Sequence, residues 1–147
     1  MPIRSIVIGL PLALFLVAVL GACRVPPLPE GVTRTEVAQG KYLYSANCAS
    51  CHGRNGEGQD WRTPVPEGIL PAPPHNSEGH TWHHPEQQLL QIIREGGQTE
   101  GSLMPAYKDR LTDEQIEAIL AYIKTMWGPE EQARQAELTR LNMSDHK

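Results

Sequence analysis

An all-α fold is predicted for this chain of 147 residues by three observations. Two stretches open on a threonine with Glu or Gln three residues later and run on into apolar residues at helical spacing. No stretch alternates apolar and polar residues as a half-buried strand does. Residues 53 to 84 are interrupted too often by Gly and Pro to hold long regular structure, so they predict one irregular segment between the first helix and the next. The length allows a single folded domain. A formal charge of -4 excludes the basic footprint that neutralises phosphates, and nucleic acid is not an expected partner.

In chain order, residues 1–22 read as an export signal. Arg4 precedes an apolar run from Ile6 to Leu20, and small residues follow up to Cys23. The run through Cys23 is near the lower limit for spanning a bilayer, so an uncleaved anchor is the competing reading. The ending Leu20-Gly21-Ala22-Cys23 resembles the lipobox of bacterial lipoproteins. That resemblance implies cleavage before Cys23 and a lipid on its thiol; an ordinary cleavage site with a stray cysteine is the alternative. Removing Arg4 with the signal leaves twelve basic side chains against seventeen acidic ones. It also removes Phe15, the only phenylalanine, so the core is built from Trp, Tyr and aliphatics. So thin a core for a small domain calls for support from a metal, a disulfide or a cofactor.

Residues 23–32, Pro-rich, read as an extended tether. The folded domain is expected over 33–128. Thr33 and Glu36 have capping-box spacing and open a helix to about Asn47. Pro85 suits the first turn of a second helix, with Leu89, Leu90, Ile92 and Ile93 facing inward, closed by Gly96-Gly97. Thr112 and Gln115 open the third, in which Ile116, Ile119, Leu120, Ile123 and Trp127 recur at helical spacing until Gly128-Pro129. Residues 129–147 read as a polar tail, a frayed helix or disordered.

The chemistry is expected at Cys48-Ala49-Ser50-Cys51-His52. This is C-x-x-C-H, the attachment signature of c-type haem, in which two thiols add to the porphyrin vinyl groups and the adjacent histidine binds iron beneath the ring. Two other readings compete. A thioredoxin-like pair wants a βαβ context, and a structural zinc site wants a second pair of ligands at suitable spacing.

With that motif the chain resembles the class I cytochrome c family over residues 33 to 127. Gly40 and Tyr44 on the first helix, and Ile119 and Tyr122 on the last, match positions at which the family's terminal helices cross closely. The resemblance implies three main helices wrapped around one covalently bound haem c. It makes Met104, in Gly-Ser-Leu-Met-Pro-Ala-Tyr, the second axial ligand, and Pro71 the source of the carbonyl that receives the His52 ring N–H. Trp61, Arg62 and Trp82 are candidates for holding a haem propionate.

The function implied is electron transfer by a monomer in the bacterial cell envelope, between redox partner proteins and without conversion of a substrate. A haem subunit of a larger oxidoreductase is the alternative. A metal-handling lipoprotein is another, since His75, His80, His83 and His84 crowd around Trp82 at a density that suits copper, nickel or zinc.

Overall fold

The computed structural model describes residues 27–60, 62 and 64–145. The signal and lipidation readings at 1–22 and Cys23, and the propionate candidate Trp61, lie outside the described residues. Among the described residues there are five α-helices: α1 (Arg34–Asn47), α2 (Ala49–His52), α3 (Glu86–Glu95), α4 (Asp113–Lys124) and α5 (Pro129–Asp145). A turn of 3-10 helix, Thr81–His83, precedes α3, and no strand occurs among the described residues.

The two long helices that form the crossing begin as capping chemistry dictates. Thr33 Oγ1 accepts the Glu36 N–H at 3.2 Å while the Glu36 carboxylate accepts the Thr33 N–H at 2.7 Å. Thr112 and Gln115 repeat the exchange at the head of α4, at 3.3 and 3.0 Å. Each box satisfies helix-terminal N–H groups that would otherwise lack partners. Pro85 stands one residue before α3 as its N-cap, and Gly96 closes that helix with φ +83°, a conformation that suits glycine.

The core forms where α1 crosses α4. Leu43 and Tyr44 from α1 meet Ile116, Ile119, Leu120 and Ile123 from α4, and α3 adds Leu89 and Ile93. Gly40 sets the closeness of the crossing, because a Cβ there would collide with the Ala118 carbonyl and lie 3.0 Å from Tyr122 Cβ. The Tyr44 and Tyr122 rings then meet edge to face at 5.4 Å.

The segment read as a frayed or disordered tail is helix α5, packed on α3 and the 3-10 turn. Its docking is polar. Thr139 Oγ1 accepts the Glu86 N–H at the head of α3, at 3.0 Å, and the Gln132 side-chain amide donates to the carbonyls of Lys124 and Trp127 at 3.2 and 3.0 Å. The buried residue on α5 is Gln135, whose amide donates to Thr139 Oγ1 at 3.0 Å. Under this helix Lys124 pairs with Glu86, linking α4 to α3. Among the described residues no helix is long and apolar enough to cross a membrane.

Candidate haem site

The motif folds as the single turn α2. The N–H groups of Cys51 and His52 both bond to the Cys48 carbonyl, at 3.1 and 2.9 Å, which sets the two thiols and the imidazole around one turn of a single unit. Both thiols are unpaired; Cys51 is exposed and Cys48 is half-buried against the core. Burial, with the neighbouring Cys51 adding, pushes the Cys48 thiol up to about 11, so it stays protonated at neutral pH.

His52 is buried, with its Nδ1 2.9 Å from the Pro73 carbonyl oxygen. A carbonyl only accepts, so Nδ1 carries the proton and the lone pair sits on Nε2. Burial lowers the basicity of His52, against an opposing pull from the Pro73 hydrogen bond. The result is a neutral imidazole with Nε2 ready to ligate a metal.

The carbonyl expected from Pro71 is supplied by Pro73. Leu70 is held elsewhere: its N–H bonds to the Gly101 carbonyl at 2.9 Å, and the chain needs the next residues to cross from there to His52. It arrives beside the turn after the motif, where Gln59 N–H bonds to Ala72 O at 2.9 Å and the N–H groups of His75 and Asn76 bond to Gly56 O at 2.7 and 3.1 Å. Pro71 itself is exposed on the crossing.

Met104 is half-buried and packs against the same core as Cys48. Its loop is fastened to the end of α3, with Gly97 N–H bonded to Met104 O at 3.0 Å and Tyr107 N–H to Ile93 O at 3.2 Å. Tyr107, which sequence reasoning did not single out, ties the loop to the motif: its hydroxyl donates to the Asn47 carbonyl at 2.6 Å, one residue before Cys48. Its position in Met-Pro-Ala-Tyr, as an aromatic with a polar tip in a short loop, was the available signal.

The histidines divide. His75 lies face to face with His52, and burial pulls it down to about 3, with smaller contributions from His52 and His80. His80 and His84 meet edge to face at 5.5 Å, His84 Nδ1 is 3.3 Å from the Gln88 side-chain oxygen, and His83 packs on Trp82 at 3.7 Å. Among the described residues no group of three or more His, Cys, Asp or Glu is arranged to hold a metal ion. Arg62 sits 3.6 Å from Asp60.

These residues fit a haem better than either rival. A zinc site needs a set of protein ligands that the described residues do not assemble, whereas a porphyrin brings four nitrogens of its own and asks the protein for axial donors. A thioredoxin-like pair lacks its strand. A haem also brings propionates, and the Trp82 indole N–H is buried with no partner among the described residues, a donor suited to one of them.

A helical domain with its thiols and histidine on one turn, closed by a crossing of its first and fourth helices, defines the c-type cytochrome class. The chain belongs to the cytochrome c family, whose model matches residues 37–127. It is 31% identical over 96 residues to the Cbb3-type cytochrome c oxidase subunit FixP of Sinorhizobium medicae, which covers 61% of this chain and 30% of that one. It is 32% identical over 116 residues to the fructose dehydrogenase cytochrome subunit of Gluconobacter japonicus, covering 70% and 24%. The chain therefore spans less than a third of the length of these curated relatives. Its backbone resembles the crystal structure of cytochrome CL from the marine methylotrophic bacterium Methylophaga aminisulfidivorans, with TM-score 0.53 at 18% identity over 74% of this chain and 66% of that one, a likeness of fold. The fold is that of class I, and the cofactor is covalent haem c, for which Cys48 and Cys51 provide the attachment motif.

Proposed function

We propose that the protein carries one electron at a time between redox proteins of the bacterial cell envelope, with His52 and Met104 as axial ligands and a lipid on Cys23 as its tether. The observation that carries the ligand assignment is the His52–Pro73 hydrogen bond, which leaves Nε2 unprotonated on the turn that bears both free thiols. When bound, haem supplies an iron that cycles between ferric and ferrous states. Cys48 and Cys51 hold it covalently, His52 donates a neutral nitrogen, and Met104 donates a thioether sulfur, a pairing that raises the reduction potential. The core beside Cys48 and Met104 keeps water from that side of the site. With twelve basic against seventeen acidic side chains beyond residue 22, the surface favours a neutral or basic partner met through a small, short-lived interface.

A second reading is favoured by the relatives: both are subunits by name, so this chain also suits the role of a small haem subunit docked on a larger oxidoreductase. Co-purification with a large partner selects that reading.

The decisive experiment is the optical spectrum of the haem-loaded protein, oxidised and then reduced, with Met104→Ala beside it. Low-spin spectra with the weak far-red band of sulfur-ligated ferric haem are expected for the native protein, and that band should vanish in Met104→Ala. A high-spin native spectrum, or a band that survives the substitution, removes Met104 from the iron.

A further inference from the structure

His75 is a half-buried side chain that electron transfer as described leaves without a task. Its ring stacks on that of His52 with centroids 3.9 Å apart and planes 18° from parallel. The residue is fixed from several sides. Its N–H bonds to Gly56 O at 2.7 Å, its carbonyl accepts the Trp127 indole N–H at 2.7 Å, and its ring meets Tyr44 edge-on at 5.8 Å. Gly56 gives it room, since a Cβ there would lie 3.1 Å from His75 Cβ. Yet His75 Nδ1 is buried with no partner. An aliphatic side chain would fill the same space without stranding a polar atom, which is costly. What an aliphatic lacks is a flat face.

His52 needs such a face. The second side-chain torsion of a histidine is broad, with no sharp staggered wells to hold the ring. The Pro73 carbonyl fixes one ring atom and accepts from a wide range of directions, so it leaves the ring free to rock about that contact. A parallel ring anchored to the turn after the motif and to the end of α4 removes that freedom. We propose that His75 is a positioning residue that sets the plane of the His52 ring, and with it the orientation of the axial imidazole against the haem. The proposal rests on His52 being the iron ligand. Partners beyond the ligand shell are known to orient metal-bound histidines, and here the device is a stacked ring added to the hydrogen bond.

The test compares His75→Phe, which keeps a flat face, with His75→Leu, which fills space without one, in the full-length haem-loaded protein. Covalent haem is first verified by the pyridine haemochromogen spectrum. Electron paramagnetic resonance of the ferric form then reads ligand-plane orientation through its g-values, and proton NMR reads it through the spread of the haem methyl shifts. The native protein and His75→Phe are expected to agree within the line width. His75→Leu is expected to shift or broaden the largest g-value and change the methyl spread. Should the leucine variant take up no haem, His75→Gln replaces it in the same comparison. A ringless variant that matches the native protein in both spectra overturns the proposal, and so does a phenylalanine variant displaced as far as the leucine one. Absence of covalent haem from the native protein overturns the ligand reading beneath it, and the haemochromogen spectrum tells that failure from the others.

Discussion

Gly40 is where a single missing side chain decides how near α1 comes to α4. Because the obstacle a Cβ would meet is the backbone carbonyl of Ala118, the neighbour cannot swing aside as a side-chain tip does. Gly40→Ala is expected to destabilise the fold by about 2 kcal/mol in denaturant unfolding, the order seen for overpacked cores. Glu36 carries a pH dependence. Its hydrogen bonds to the Thr33 hydroxyl and backbone hold its carboxyl below the ordinary value of 4.5. A lowered native value means that the charged carboxylate stabilises the folded state at all pH above the ordinary value, and that this contribution fades as pH falls through the native one. The native protein should therefore melt above Glu36→Gln at neutral pH, and the gap should narrow as the pH falls below the ordinary value of 4.5. Residues in these roles were readable because their signals are local: Thr33 and Glu36 by spacing, Cys48, Cys51 and His52 by adjacency. Pro73 and His75 were not. Which carbonyl of a proline-rich loop reaches His52 depends on the Leu70–Gly101 contact between distant segments, and no period in the sequence records it.

At the scale of elements, α1, α3 and α4 were legible because each buries an apolar stripe opened by a cap or a proline. Helix α5 was legible only as a frayed helix or disorder, for a physical reason: it docks through Gln132 and Thr139, so no apolar stripe announces it. Such an interface works by completing the ends of other helices. Thr139 receives an N–H at the head of α3, and Gln132 donates to two carbonyls at the end of α4. Thr139→Val keeps the shape and removes the acceptor, leaving the Glu86 N–H without its cap. The expected loss is about 1 kcal/mol by denaturant unfolding, with haem attachment unchanged, since the motif lies on another element.

For the whole molecule, a lipid on Cys23 would decide where the domain works. The lipobox reading puts the lipid on Cys23, just ahead of a Pro-rich stretch read as a spacer. Cell fractionation checks it: the native protein should sediment with membranes and Cys23→Ser should appear in the soluble fraction. A serine variant that stays with the membrane would shift the anchor to the apolar run beginning at Ile6. The layout of the motif also orders events in time. The thiols and His52 occupy a single turn, whereas the crossing that closes the domain joins Gly40 to Ala118 and Tyr122. Contacts so distant in sequence carry the larger loop-closure cost and form late, while a five-residue motif is complete in an open chain. Haem attachment can therefore precede folding, and a bound ring would serve as a nucleus on which α1 and α4 meet, so that a chain denied its cofactor should reach the crossing more slowly.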